Sequence, residues 1–161
     1  MNPFGRGRVS SLVRIALSLL VALGLAGQAG ATDRDLRSIN GMRGHHAVIL
    51  AFAPTLGDAR LEAQRAAFAR IGLEAAGRDL LLVQVDDARV VGATDKAPAL
   101  RRRFRVAPDA FQVMVIGKDG SPALSSATPV EPGRIVAAID ATPVRQAEVR
   151  DARAGRVTAQ R

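Results

Sequence analysis

The sequence predicts an α/β domain in which a central mixed sheet of about four strands is flanked by helices. Two uninterrupted, largely apolar runs support this class, AVILAFA at residues 47–53 and LLLVQV at residues 80–85. Apolar runs without alternation are typical of parallel strands that are covered on both faces. A helical pattern separates the two runs, so we expect a βαβ unit with parallel strands.

The connecting helix has a clear predicted start. Pro54 ends the first strand, and Asp58 follows Gly57 as a good N-cap residue. The helix is expected to end between Gly72 and Gly77. Its buried stripe is predicted to contain Leu61, Gln64, Phe68 and Ile71.

The second half of the chain completes the sheet. Residues 88–97 are predicted to form a surface loop, and a short helix begins at Pro98 and is stopped by Pro108. Strands are expected at 111–116 and 123–126, joined by a hairpin at Asp119-Gly120, before a helix around 134–139. The order βαβ, short helix, ββ, α is that of the thioredoxin-like core.

The N-terminal segment predicts export. Three arginines precede an apolar run at residues 15–26, and a small-x-small cleavage site follows within Gln-Ala-Gly-Ala at 28–31. The run has about a dozen residues, whereas a transmembrane helix needs roughly 20, so a cleaved signal peptide over 1–31 is favoured over an uncleaved anchor. We therefore expect a periplasmic or secreted protein that is not integral to the membrane after cleavage. Residues 32–150 then form one domain, and residues 151–161 a flexible tail.

Composition excludes several kinds of chemistry. The chain has no cysteine, which rules out thiol–disulfide exchange, thiol peroxidation and zinc–thiolate sites in it. The net charge of +8 falls to +5 once the three arginines of the signal are removed, leaving 20 basic and 15 acidic residues. Because export is expected, nucleic acid is not a predicted partner. No cofactor is predicted.

Five pieces of the sequence resemble, in order and spacing, the DUF4174 family of exported bacterial proteins. They are HHAVILAFAP (45–54), Gln64, RDLLLVQV (78–85), RRRFRVAPDAFQVMVIGKDG (101–120) and IDATPVRQAEVR (139–150). The resemblance covers about residues 36–150 and extends to domains of equarin-type extracellular-matrix proteins. It implies a thioredoxin-like or peroxiredoxin-like fold and no established activity. The chain departs from the family pattern around Met42 and at Thr142 and Val144.

The turn after the first strand is where thioredoxin-like enzymes hold a redox dithiol at a helix N-terminus. Here that turn offers only the hydroxyl of Thr55, for which a turn or capping role is favoured. Asp86 and Asp87 follow the second strand, so with Thr55 they mark a candidate site at the carboxyl edge of the sheet. A solvated loop is the alternative. We predict no catalytic residue.

Two histidines stand side by side at the start of the first strand. His45 and His46 are expected to point to opposite faces, so they do not chelate one ion, and no metal site is predicted.

Two polar clusters are candidate binding residues. Arg101, Arg102 and Arg103 form the densest run of charge and predict either a polyanion-binding surface or a solvated face paired with Asp95 or Asp109. Arg145, Gln146, Glu148 and Arg150 follow a predicted helix end at Pro143. This second cluster predicts either a partner-binding surface or structural ion pairs of its arginines with Asp140 or Glu148.

The sequence therefore favours an exported, cysteine-free thioredoxin-like domain that acts as a non-redox binding or structural module in the cell envelope. Its expected partner is a protein or an anionic envelope component. One alternative is an enzyme with a non-thiol site at the carboxyl edge of the sheet. The other is a binder of envelope or matrix polyanions.

Overall fold

A computed structural model describes residues 37–159; the predicted signal peptide lies outside the described residues. The strands are β1 (Ala47–Phe52), β2 (Leu80–Val85), β3 (Val90–Val91), β4 (Gln112–Ile116) and β5 (Pro122–Ser126). The helices are α1 (Ala59–Arg70), α2 (Gly72–Ala76), α3 (Ala97–Phe104), α4 (Pro132–Asp140) and α5 (Pro143–Ala159).

The strands form one sheet in the order β3-β2-β1-β4-β5. β1 and β2 are parallel, with Ala47 opposite Leu80, whereas β4 pairs antiparallel with both β1 and β5. The predicted α/β class, with a mixed sheet in thioredoxin-like order, is confirmed. The sheet has five strands and not the four expected, because β3 adds an edge next to β2.

The extra strand β3 lies in what was predicted to be a surface loop. Asp86 creates it: its carboxylate accepts hydrogen bonds from the backbone N–H groups of Ala88 and Arg89, and its own N–H donates to the carbonyl of Arg89 at 3.0 Å. This turn reverses the chain and pairs Val90 with Val85. The segment carries no Asn-Gly or Asp-Gly signal, so sequence alone did not reveal the hairpin.

Two apolar cores cover the two faces of the sheet. The residues of β1 alternate between them and are all buried, as the continuous apolar run predicted. On one face Ile49 packs with Leu61 of α1 and Ile135 of α4. On the other face Phe52 and its neighbours pack with Leu100 of α3. Helices therefore lie on both sides of the sheet, as predicted.

The helix α1 begins and packs as predicted. Asp58 caps it by accepting a hydrogen bond from the Arg60 N–H at 2.8 Å, while Leu61 and Gln64 are fully buried. The side-chain oxygen of Gln64 accepts a hydrogen bond from the Val130 N–H at 2.8 Å, which ties α1 to the segment before α4. A buried glutamine here satisfies a backbone donor that would otherwise have no partner.

The segment after α4 differs from the prediction. Pro143, expected to interrupt a helix, is the first residue of α5, a position that favours proline because its missing N–H is not needed there. α5 continues through Ala159 and therefore includes the described residues of the segment 151–161, for which a flexible tail was predicted. The side chains of residues 151–156 are all exposed. None of the described helices is long and apolar enough to cross a membrane.

Candidate functional site

The sequence-predicted site residues lie at two ends of the sheet. Thr55, Asp86 and Asp87 follow the carboxyl ends of the parallel strands, near Arg101 and Arg102 of α3. The cluster from Arg145 to Arg150 belongs to α5, next to the loop that enters β2. The structure therefore separates these residues into two groups that do not form one site.

Arg101 is a buried structural residue. Its side chain donates hydrogen bonds to the carbonyls of Ala53 at 2.6 Å, Ala107 at 2.6 Å and Asp86 at 3.4 Å. These three carbonyls follow β1, precede β4 and follow β2, so one guanidinium joins three segments at the carboxyl edge. It also lies over the Phe52 ring, 5.6 Å from its centroid. Burial lowers its pKa, opposed by nearby aspartates, but arginine remains charged in proteins.

The predicted strand-edge carboxylates do not form a catalytic pair. Asp86 is 5% exposed, and its carboxylate is occupied by the turn to β3. Burial would raise its pKa, but the hydrogen bonds from the backbone of Arg89 and Ala88 outweigh this effect and lower it. Asp87 is exposed and lines a cavity of about 500 Å³ with Arg102 and Pro108 among its walls, which we call the strand-edge groove. Thr55 is exposed and is absent from these walls.

The run Arg101 to Arg103 does not form one basic surface. Arg101 is buried and lines the strand-edge groove together with the exposed Arg102, whereas Arg103 lines a separate small cavity beside His46. Consecutive helical residues point in different directions, which explains the divergence. No group of three or more His, Asp or Glu side chains among residues 37–159 is placed to hold a metal ion.

A chain of ion pairs lies at the opposite end of the sheet. Lys118 donates to Asp79 at 2.7 Å and to Glu148 at 2.6 Å, and Glu148 also accepts from Arg145 at 3.1 Å. Arg145 lies 3.7 Å from Asp140, whose two oxygens accept from Arg78 at 2.8 and 2.7 Å. The residues of this ion-pair network are Arg78, Asp79, Lys118, Asp140, Arg145 and Glu148.

The ion-pair network holds its carboxylates in the charged form. The hydrogen bond from Arg78 is the main reason that the pKa of Asp140 is lowered, and Lys118 does the same for Asp79 and Glu148. Burial alone would lower the pKa of Lys118, but its two carboxylate partners outweigh burial and raise it. All four groups are therefore charged near neutral pH.

The ion-pair network joins four separate parts of the sequence. They are the start of β2, the hairpin between β4 and β5, the end of α4 and the first half of α5. Of the ion pairs predicted for Arg145 or Arg150, those of Arg145 with Asp140 and Glu148 are present, whereas Arg150 pairs with neither. The same segments carry the RDLLLVQV, GKDG and IDATPVRQAEVR pieces of the sequence.

A cavity of about 400 Å³ lies beside the ion-pair network and is bordered by α5. Its lining combines four guanidiniums with one carboxylate, one amide and one apolar side chain. We call it the arginine groove, and its residues are Arg78, Asp140, Arg145, Gln146, Val149, Arg150 and Arg153. It contains three of the four predicted residues of the α5 cluster; the fourth, Glu148, supports Arg145 from behind.

One face of α5 supplies most of the residues that line the arginine groove. Gln146 and Arg150 are four residues apart on α5, as are Val149 and Arg153, so these two neighbouring pairs lie on one face. Arg150 and Arg153 are exposed, and among the described residues neither has an ion-pair partner.

Sequence reasoning did not assign Arg78 and Arg153 to a site. Arg153 could have been found from its spacing to Arg150 if the helix had been predicted past residue 150. Arg78 reaches its partner Asp140 across 62 positions of the chain, and local sequence gives no signal for such a contact. The arrangement as a whole can bind an anion, because guanidinium donors outnumber acceptors in its walls.

Comparison with curated proteins and with solved structures gives no match to this chain. A family model described as "Domain of unknown function (DUF4174)" matches residues 38–148, which include β1 to β5 and all six residues of the ion-pair network. The chain therefore belongs to the DUF4174 family.

Proposed function

We propose that this chain is a non-redox binding module of the cell envelope and that its binding face is the arginine groove. The observation that carries the proposal is the pair Arg150 and Arg153, two exposed guanidiniums that line a cavity without an ion-pair partner among the described residues. Exposed, unpaired charges that border a concave surface are available to a partner.

The lining of the arginine groove suits binding better than catalysis. Its one carboxylate, Asp140, has a lowered pKa and is held by Arg78, so it is a poor proton donor or acceptor near neutral pH. The other described lining groups are guanidiniums, an amide and the Val149 side chain. None of these is a ready nucleophile.

A location in the envelope is supported by the predicted signal peptide, and a non-redox role by the absence of cysteine from the chain. The position of Arg101 adds to this, because its side chain donates to the Ala53 carbonyl just after β1, where thioredoxin-like enzymes hold their redox cysteines.

The alternatives have weaker support. An enzyme at the carboxyl edge would need Thr55, Asp86 and Asp87 to act together, yet Asp86 is occupied by its own turn and Thr55 is outside the strand-edge groove. A polyanion surface made by Arg101 to Arg103 would need side chains that face one way.

The test compares capture of envelope components by three versions of the chain. We expect Arg150→Ala/Arg153→Ala to lose a partner that the unmodified chain retains. Arg102→Ala/Arg103→Ala is the matched control, because it removes the same charge from exposed positions outside the arginine groove. Equal capture by all three versions would contradict the proposed binding face. Disulfide exchange or peroxide reduction above background by the purified chain would contradict the non-redox role.

A further inference from the structure

We infer that the ligand of the arginine groove carries a phosphomonoester group, either in a soluble molecule or in the headgroup of a lipid such as phosphatidic acid. The inference rests on the proposed function and names the chemistry that the binding face recognises. It starts from charge: the lining holds four arginines and one aspartate, a formal balance of +3. A carboxylate would neutralise one of these charges, whereas a phosphomonoester carries nearly two negative charges at neutral pH.

The arrangement of donors supports the same conclusion. Arg78 uses three of its five N–H donors, two on Asp140 and one on the Glu74 carbonyl at 2.9 Å, so its plane is fixed and two donors remain. Arg145 is fixed through Glu148, and its Nε atom is buried without a hydrogen-bond partner among the described residues. Fixed guanidiniums lose little entropy when they bind an anion.

Arg150 and Arg153 supply the donors that are not fixed. They are three residues apart on α5, which places both on the face that borders the cavity. A phosphoryl group offers three acceptor oxygens, and arginine binds such oxygens with two parallel N–H donors. Val149, which directly precedes Arg150, gives the groove an apolar wall for the group that bears the phosphate.

The one acidic residue of the lining does not oppose an anion strongly. Asp140 is paired with Arg78 at 2.7 Å and lies 3.7 Å from Arg145, so its charge is balanced within the ion-pair network. Glu148 behind Arg145 is balanced in the same way by Lys118. The uncompensated charge of the arginine groove is therefore that of Arg150 and Arg153.

The experiment titrates the full chain with inorganic phosphate and with phosphoserine, followed by calorimetry and by chemical shifts of α5 amides. We expect saturable binding that weakens as salt is added, because screening reduces attraction between exposed charges. Arg150→Ala/Arg153→Ala should weaken binding by about tenfold or more. Arg102→Ala/Arg103→Ala should bind as the unmodified chain does.

A second variant tests whether the positive charge alone, without the arginine donors, accounts for phosphate binding. Arg150→Lys/Arg153→Lys keeps both charges but loses the forked donors, so we expect it to bind more weakly than the unmodified chain. Co-sedimentation with phosphatidylcholine vesicles that contain phosphatidic acid would identify a headgroup as the source. Binding of phosphoserine without co-sedimentation would identify a soluble phosphomonoester.

Absence of saturable phosphate binding, or equal losses in the groove and control variants, would overturn the inference. Its failure is distinguishable from failure of the proposed function. If a captured partner depends on Arg150 and Arg153 but phosphate neither binds nor competes with it, the phosphoryl inference is wrong and the binding module stands. If capture does not depend on these arginines, the proposed binding face is wrong.

Discussion

The two ends of the sheet use arginine in opposite ways. At the carboxyl edge, Arg101 gives its donors to three backbone carbonyls and is 5% exposed. At the other end, Arg78 and Arg145 are fixed by carboxylates and still line a cavity, next to Arg150 and Arg153, which are exposed. Arg101 is a structural residue at the carboxyl edge, whereas Arg150 and Arg153 present their charge to solvent at the other end. Residue type alone therefore does not separate a structural arginine from a binding arginine; burial and partner type do.

The largest expected effect comes from removing the Arg101 side chain at the carboxyl edge. Arg101→Ala leaves the carbonyls of Ala53 and Ala107 without their charged donor and opens a void beside Phe52. We expect the free energy of unfolding to fall by about 3 kcal/mol, measured by urea denaturation. Arg102→Ala is the control, because this neighbour is exposed and its loss should cost less than about 0.5 kcal/mol. Equal decreases in the free energy of unfolding of both variants would show that Arg101 does not stabilise the carboxyl edge more than its neighbour does.

A smaller effect is expected from the centre of the ion-pair network. Lys118→Met removes the shared partner of Asp79 and Glu148, and only 12% of the Lys118 side chain is exposed. We expect a loss of about 1–2 kcal/mol in the free energy of unfolding. The other lysine of the chain, Lys96, is exposed and gives the matched control Lys96→Met, expected to change stability by less than about 0.5 kcal/mol. If Lys118→Met lowered the free energy of unfolding as little as Lys96→Met, the ion-pair network would not stabilise the fold.

The ion-pair network should also make the stability of the fold depend on pH, with a smaller effect than the Lys118→Met substitution. The pKa values of Asp79, Asp140 and Glu148 are lowered by folding, so their contribution is complete above about pH 5 and is lost as pH falls through the folded values. The pKa of Lys118 is raised, so its contribution is complete below about pH 10 and is lost above it. Denaturation midpoints measured across pH should show both declines. Lys118→Met should flatten them, whereas Lys96→Met should leave the profile unchanged.

The smallest expected effect on stability belongs to the arginine groove itself. Arg150→Ala/Arg153→Ala should change the free energy of unfolding by less than about 0.5 kcal/mol, because both side chains are exposed. The same substitutions are expected to abolish most anion binding, so function and stability separate at this end of the molecule. A large loss of stability in this double variant would instead mean that the two arginines are structural, as Arg101 is.

The sequence predicts the fold well where its signals are local. The continuous apolar runs of β1 and β2, the N-cap Asp58 and the Asp119-Gly120 hairpin each specify an element through neighbouring residues, and each is present in the structure. β3 was missed because one side chain, that of Asp86, forms its turn without a recognisable dipeptide. The start of α5 was missed because Pro143 can stop one helix or begin another, and only the preceding chain direction decides which.

The candidate site was predictable only in part, for a different reason. The α5 cluster stands out locally by its density of polar residues, but its partners Arg78 and Lys118 come from distant parts of the chain and are brought near by the sheet. Arg101 shows the opposite failure. The sequence predicted that Arg101, like Arg102 and Arg103, is a charge on the surface. Its burial follows from the packing of α3 against the carboxyl edge, which local sequence does not show.

The exposure of the second half of α5 has a consequence for its motions. The helix is about 25 Å long, and the side chains of residues 151–156 lie outside the cores, so this part is stabilised mainly by its own hydrogen bonds. Local opening there costs far less than global unfolding, and its amide hydrogens should exchange with solvent much faster than those near Glu148. Arg153 lies in this exposed part of α5, and Arg145 in the part that is held by the ion-pair network. A phosphoryl ligand held by both should therefore slow exchange around Arg153, so that one wall of the groove is ordered by what it binds.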